Sequence, residues 1–262
     1  MSQRKVLPGK FIWFELFTTQ APKAQAFYGE VLGWKAREFP PGSGYDMIFL
    51  DETPGSMIGG YATPGPTQRD QWMSYVSVDD VDAAARAAGH HGGKVIEPPA
   101  DLPGAGRMAR IADPQGAELC LFRKATDDPA DVDDVGPGGW IWNELHTPDP
   151  EGAVSFYENV IGYTSRALDM GPAGTYHILS HGGLDRAGVT AHLAPGSAPH
   201  WLPYVEVNDA DATVARAREL GARIPMAPEN IPGIGRFGII EDPTGGVLAV
   251  MKTVPREQVK TP

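Results

Sequence analysis

The chain has 262 residues, 42% of them hydrophobic and 21% charged, and a formal net charge of −11. This composition is globular, and no apolar run approaches the roughly 20 residues that a bilayer span requires. The negative charge disfavours nucleic acid and anionic membranes as partners, and the one cysteine, Cys120, excludes an internal disulfide framework.

The opening "MSQRKVLPGK" lacks the apolar core of a signal peptide, so a cytoplasmic location is expected. "FIWFELFT" has strand composition. The following "APKAQAFYGEVLG" places Ala24, Phe27, Tyr28, Val31 and Leu32 on one helical stripe closed by Gly33. Strands are then expected at "WKAREF", "YDMIFL" and "SMIGGYA", parted by Pro and Gly turns. The order repeats with the strand "WMSYVSV", a helix from Asp80 to Ala88 closed by Gly89, and the strands "KVIEP", "RMARIA" and "AELCLF". "DDPADVDDVGPGG", with five Asp, two Pro and three Gly, reads as an exposed tether.

After this tether the chain starts again. "WFELFTTQAPKAQAFYGEVLGW" from Trp13 returns as "WNELHTPDPEGAVSFYENVIGY" from Trp142, an offset of 129 without a gap. "WMSYVSVDDVDAAARAAGHHGGKV" returns as "WLPYVEVNDADATVARARELGARI" at the same offset, and "DLPGAGRMARIADPQG" as "NIPGIGRFGIIEDPTG", with eight of sixteen positions identical. The chain is therefore a duplication of two units of ordinary domain size, each reading βαβββ twice. The tail "VPREQVKTP" is expected to be loosely attached.

The four βαβββ units, the "AFYGEVLGW" and "SFYENVIGY" segments and the "GxGR…DPxG" hairpins resemble the vicinal oxygen chelate superfamily of glyoxalases, bleomycin and fosfomycin resistance proteins and extradiol dioxygenases. The resemblance covers Gly9 to Lys252 and is closest to tandem glyoxalase-like proteins. It implies an α+β fold with two domains, at residues 9–124 and 139–253, around an acidic Gly/Pro linker at 125–138. Paired units are expected to form an eight-stranded cup with the ligand on its concave face. It further implies a divalent metal held by residues of the first, fifth and eighth strands. Those positions fall on Trp13 and Trp142, Met73 and Leu202, and Cys120 and Ala249, none of which is a ligand for a hard divalent ion. No cofactor is therefore expected. A relocated metal set of Glu144, His146 and His192 is the alternative.

Strand alternation puts Trp13, Glu15 and Phe17 on one face of the first strand and Ile12, Phe14 and Leu16 on the other. The same reasoning groups Trp142, Glu144 and His146; Met73, Tyr75 and Ser77; Leu202, Tyr204 and Glu206; and Glu118, Cys120 and Phe122. The ligand-facing set is then Trp13, Glu15, Met73, Tyr75, Glu118, Cys120, Trp142, Glu144, His146 and Tyr204. An aromatic bowl with one or two carboxylates suits a flat, partly apolar small molecule bearing a donor or positive group. Glu15 and Glu144 are the candidate catalytic carboxylates, as general bases. The alternative is that they only bond Tyr75 and Tyr204, or a backbone N–H. Arg107 and Arg236 either hold an anionic ligand or pin the loop before them to a carboxylate.

Three functions stay open on these residues: a metal-independent binder of a small aromatic or amphipathic metabolite; a lyase, isomerase (lactoylglutathione lyase-like) or dioxygenase using a divalent metal or a carboxylate base; and a scaffold without ligand. The duplication predicts a monomer with internal pseudo-twofold symmetry, or a homodimer. Each repeat either closes its own cup or shares halves with the other. Substitutions between the repeats predict that the two cups differ.

Overall fold

The computed structural model describes residues 5–53, 55–65, 68–194 and 196–254. The tail beyond Val254 lies outside the described residues. In the first repeat, strand β1 (Phe11–Phe17) leads into helix α1 (Ala21–Leu32) and strands β2 (Lys35–Glu38), β3 (Asp46–Phe49) and β4 (Met57–Ala62). Strand β5 (Gln71–Ser77), helix α2 (Val81–His90) and strands β6 (Lys94–Leu102), β7 (Gly106–Ala112) and β8 (Glu118–Lys124) complete it. The second repeat runs β9 (Trp140–His146), α3 (Pro150–Ile161), β10 (Thr164–Asp169), β11 (Thr175–His181) and β12 (Leu184–Thr190). It ends with β13 (His200–Glu206), α4 (Ala210–Glu219), β14 (Arg223–Ile231), β15 (Gly235–Glu241) and β16 (Val247–Thr253).

Each repeat forms one eight-stranded mixed sheet of the same order, β2-β3-β4-β1-β5-β8-β7-β6 and β10-β11-β12-β9-β13-β16-β15-β14. The strands thus realise the arrangement in which each repeat closes its own sheet. Alternation holds on β1, where Ile12, Phe14 and Leu16 are buried and Trp13, Glu15 and Phe17 are half-buried.

Helix ends follow local chemistry. The side chains of Asp80, Asp149 and Asp209 cap α2, α3 and α4 by accepting from the backbone N–H three residues on. Gly33 and Gly162 close α1 and α3 in the left-handed conformation. The expected stop at Gly89 is corrected: α2 continues through it to His90. The reversal is made instead at Gly92, whose φ is 87°.

The chain divides into two compact units that cut across the repeats. One comprises Met1–Trp13, Met73–Asp131 and Trp142–Leu202; the other comprises Phe14–Trp72, Val132–Ile141 and Pro203–Pro262. In the first unit α2 packs on α3. Its core joins Val76, Ala85, Ile111, Leu119 and Leu121 of the first repeat to Leu145, Phe156, Tyr157, Leu179 and Trp201 of the second. In the second unit α1 packs on α4, and Phe14, Tyr28, Trp34, Trp72 and Trp140 form an aromatic cluster with ring centroids 4.2–5.7 Å apart.

A buried relay recurs in both units. In the second unit Trp72 Nε1 donates to the Tyr28 hydroxyl (2.9 Å), which donates to Asp242 Oδ2 (2.7 Å). In the first, Trp201 Nε1 donates to the Tyr157 hydroxyl (3.0 Å), which donates to Asp113 Oδ2 (3.2 Å). Each tyrosine belongs to one repeat and its aspartate to the other. The aspartates also terminate their own turns: Asp113 Oδ1 accepts from the N–H groups of Gln115, Gly116 and Ala117. Burial pushes the Asp113 carboxyl above its ordinary range, and burial with the neighbouring Asp113 charge pushes the Tyr157 phenol up.

The acidic linker is not a free tether, which corrects the expectation drawn from its composition. Asp128 is buried and accepts from Leu7 N (2.7 Å) and Ser77 Oγ (2.6 Å). Asp131 pairs with Arg186 (2.6 Å) and Lys10 (3.1 Å). Composition signals solvation, but the partners of these carboxylates come from sequence-distant segments.

Two outcomes are expected. Tyr28→Phe and Tyr157→Phe should each cost about 1–3 kcal/mol in urea unfolding, because each leaves an indole N–H and a carboxylate oxygen without a partner in the core. The hydrogen bond from Arg186, aided by Lys10, holds the Asp131 carboxyl down at about 2. Its folded value lies below its unfolded one, so its stabilisation is present above the ordinary value of 3.8 and is lost as pH falls through about 2. Asp131→Asn should therefore lower the thermal midpoint at neutral pH and converge with the parent chain near the acid end of that window.

Candidate functional site

The helix-free face of β9 carries a polar constellation in the first unit. Trp142 Nε1 donates to the Tyr176 hydroxyl (3.0 Å), and Tyr176 donates to Glu144 Oε2 (2.7 Å). An indole N–H can only donate, so the direction of this chain is fixed. Glu144 Oε1 lies 2.8 Å from His146 Nε2 without an aligned hydrogen bond, and both side chains are about nine-tenths buried. His146 Nδ1 lies 2.6 Å from the carbonyl oxygen of His192. A carbonyl only accepts, so Nδ1 carries the proton. The Nε2···Oε1 contact is then attractive only when one of the two atoms is protonated. His200 stacks on His146, ring centroids 5.2 Å apart and planes within 22°. Burial and the Glu144 charge drive the Tyr176 phenol far above its ordinary range, keeping it a neutral donor.

A glycine makes room for this chain. Gly188 on β12 is registered opposite Glu144, and a Cβ there would lie 1.8 Å from the Tyr176 hydroxyl. The first repeat uses the same device. Gly60 is registered opposite Glu15, its Cβ would lie 2.1 Å from the Tyr45 hydroxyl, and Tyr45 bonds Glu15. These tyrosine partners were missed in the sequence because Tyr45 and Tyr176 stand at offsets 131 apart, outside the repeat's constant 129. The glycines in "IGGYA" and "RAGVT" were the available signal. His146 has no counterpart in the first repeat, where Phe17 occupies its place.

The other predicted residues fall in two further groups. Tyr75 and Cys120 are registered neighbours on β5 and β8, both buried, and Tyr75 meets Phe122 edge-on at 5.8 Å. Glu118, on the same face, is held by Arg110 (3.1 Å), a residue the sequence reading did not single out. Met73 is buried. In the second unit Tyr204, registered against Ala249, stacks on Phe237 with centroids 5.8 Å apart. Trp13 stands half-buried on β1. Arg107 and Arg236 tie their loops to helices: Arg107 forks onto Asp82 of α2 (2.6 and 2.8 Å), and Arg236 onto Asp211 of α4 (2.5 and 2.7 Å).

The six positions where a family metal would be held do not fit a divalent ion. Trp142 presents an N–H already given to Tyr176, and Met73, Leu202 and Ala249 are buried side chains without a hard donor. Among the described residues no three His, Cys, Asp or Glu side chains converge as a metal-binding group. Glu144 and His146 are brought together, whereas His192 reaches His146 through its backbone oxygen.

Two eight-stranded sheets built from βαβββ halves, with a carboxylate on the helix-free face of each first strand, define the class. The chain belongs to the Glyoxalase/Bleomycin resistance protein/Dioxygenase superfamily, whose model matches residues 10–121 and 142–250. It is 35% identical over 252 residues to "Putative glyoxylase CFP32" of Mycobacterium tuberculosis, covering 94% of this chain and 95% of that one. It is 33% identical over 263 residues to the anthracycline biosynthesis protein DnrV of Streptomyces peucetius, covering 94% of each. Among solved structures it resembles the Mn(II)-bound glyoxalase of Novosphingobium aromaticivorans (TM-score 0.61, 17% identity, 98% of this chain and 87% of that one). It also resembles 2,2',3-trihydroxybiphenyl 1,2-dioxygenase of Sphingomonas wittichii (TM-score 0.60, 17% identity, 99% and 95%). At these identities the structural likeness concerns the fold. Among the described residues no helix is long and apolar enough to cross a membrane.

Gly188→Ala should destabilise the chain by about 1–3 kcal/mol through overpacking against Tyr176. Tyr176→Leu removes both the hydroxyl and Cζ that the added Cβ would strike, so the double variant should be less destabilised than the sum of the singles. Additive losses in urea unfolding would mean that Gly188 does not serve to admit the hydroxyl.

Proposed function

We propose that the protein is a metal-independent binder of a small aromatic or amphipathic metabolite, with the Trp142–Tyr176–Glu144–His146 constellation as its polar anchor. One observation carries this reading: a carboxylate about nine-tenths buried is held by directed partners on an aromatic-rich strand face. A preorganised acceptor in apolar surroundings orients a ligand hydroxyl or amine at little ordering cost. The likeness to a protein of anthracycline biosynthesis favours a flat, polycyclic ligand class. Misfit of the family's metal positions favours binding without a metal.

A second reading rests on the Glu144–His146 contact. A proton shared between Oε1 and Nε2 equips the pair as a general acid and base, so that the same anchor would abstract a proton from a bound ligand and return it. This is lyase or isomerase chemistry that uses only the chain's own residues.

Two measurements decide. Protein purified without chelators should carry substoichiometric metal; one tightly held divalent ion per chain would contradict the first reading. In calorimetric titration with a flat polyphenol, one tight site per chain is expected. Glu144→Gln should weaken it about tenfold or more, and Glu15→Gln by less than about threefold. Equal insensitivity to both changes would reduce these carboxylates to structural groups.

A further inference from the structure

The duplication contains an internal substitution experiment in the helix-packed core of each compact unit. In the second unit the aromatic cluster consists of Phe14, Tyr28, Trp34, Trp72 and Trp140; the positions that match at offset 129 hold Asn143, Tyr157, Tyr163, Trp201 and, counting back, Phe11, all in the first unit. The frame is the same in both. Trp72 lies 5.3 Å from Trp140 and 5.5 Å from Tyr28 between ring centroids, and Trp201 lies 5.3 Å from Phe11 and 5.2 Å from Tyr157. Trp34 Nε1 donates to the carbonyl oxygen of Gly138 (2.9 Å), and at the matching place the Tyr163 hydroxyl donates to that of Gly9 (2.6 Å). Within this frame one Phe has become Asn, one Trp has become Tyr and another has become Phe. Each exchange removes ring volume from the same place.

The position of Phe14 carries the largest chemical change. Phe14 stacks on Trp140 with centroids 4.2 Å apart, whereas Asn143 is 1% exposed and neither its amide nitrogen nor its amide oxygen has a hydrogen-bond partner. Ser74 is also 1% exposed, and its Oγ is likewise unpartnered. Ser74 and Asn143 are the same position of two βαβββ halves: each stands six residues before the aspartate that caps the next helix, Asp80 and Asp149. Strand alternation turns both toward the packed core, which takes in Val76 and Leu145 two residues further on. The same position in the second unit holds Phe14 and Pro203, six residues before Gln20 and Asp209. Buried amides and hydroxyls are costly without partners, and native cores supply them. A direct bond between Ser74 and Asn143 would occupy one amide atom and leave the other unpaired. Water both donates and accepts, and a buried water needs two to four polar partners and room. The two side chains offer three polar atoms, and the smaller rings leave the room.

We propose that Ser74 and Asn143 form an internal hydration site of the first unit, holding ordered water at the place that the second unit fills with the Phe14 ring. Water accepts from Asn143 Nδ2, donates to Asn143 Oδ1 and bridges to the Ser74 hydroxyl. Both side chains are shut off from the surface, so the site takes water, which enters by local opening, and not a larger solute. The cores of the two units therefore differ in kind: a hydrated polar joint in the first, an aromatic stack in the second. Strand β9 carries Asn143 on its packed face and Glu144 on its helix-free face, so the hydration site lies behind the strand of the polar anchor. It is independent of what that anchor binds.

Oxygen-17 magnetic relaxation dispersion of the full chain reads the water molecules held for long times inside a protein. Asn143→Phe copies the second unit and should reduce the long-lived water signal while leaving the thermal midpoint unchanged or raised, because the ring fills the space and removes the unpartnered amide. Ser74→Ala takes away one partner of the water without adding bulk, and should lose the same part of the signal or move it to shorter residence times. This smaller change keeps the test decisive if Asn143→Phe fails to fold. A folded Asn143→Phe chain with an unchanged dispersion profile overturns the site. An unchanged profile in Ser74→Ala overturns it as well, since water bridging the two side chains cannot be indifferent to the loss of one. A lower urea midpoint for Ser74→Ala with no change in long-lived water would mean that Ser74 and Asn143 bond each other directly, which also contradicts the proposal.

Discussion

The structure depends on a buried hydrogen-bond relay from indole to phenol to carboxylate that is built once in each compact unit. Trp72, Tyr28 and Asp242 form one copy, and Trp201, Tyr157 and Asp113 the other. Each crosses from one repeat to the other, because the tyrosine and the aspartate lie on opposite sides of the linker. A buried phenol and carboxylate are costly unless paired. Once paired they specify which helix packs against which turn, so that α1 meets α4 and α2 meets α3. The strands follow a different rule, each sheet being drawn from a single repeat.

This arrangement accounts for which residues the two repeats share. The Tyr of "AFYGE" and "SFYEN", the Trp of "WMSYV" and "WLPYV" and the Asp of "DPQG" and "DPTG" are the relay itself. The glycines opposite Glu15 and Glu144 serve a second shared device, a tyrosine hydroxyl laid onto a carboxylate. Shared residues thus belong mainly to construction. Two differences, His146 for Phe17 and the Glu97–Arg110–Glu118 triad for Met226, Ile239 and Val247, lie on the helix-free faces. A fused pair of repeats has no need for two identical faces, and this one has changed them in opposite directions.

Much of this was legible in the sequence, for identifiable reasons. Constant spacing exposed the duplication, and period-two alternation placed Trp13, Glu15, Trp142, Glu144 and His146 on the correct strand faces. Gly33 marked a helix end because only a left-handed residue closes that turn, while Gly89 did not, since glycine is tolerated within a helix and the reversal lay at Gly92. What stayed hidden depends on partners distant in sequence. Asp128 and Asp131 looked solvated until Leu7, Ser77, Lys10 and Arg186 reached them. Arg110 was not singled out, although comparing it with Ile239, and Glu97 with Met226, would have marked the triad. Tyr45 and Tyr176 were obscured because they do not match at the constant offset, Tyr45 preceding β3 and Tyr176 lying within β11.

The central claim is that the family signature joins the two halves of the chain through crossed relays. The most direct test is sedimentation equilibrium of residues 1–124 expressed alone. In that fragment Tyr28 lacks Asp242 and Asp113 lacks Tyr157, so a single copy cannot complete either relay. A second copy can, by pairing Tyr28 of each chain with Asp113 of the other. The account predicts a folded species only as a dimer, with unfolding that depends on concentration. A folded monomer whose stability is independent of concentration would contradict it.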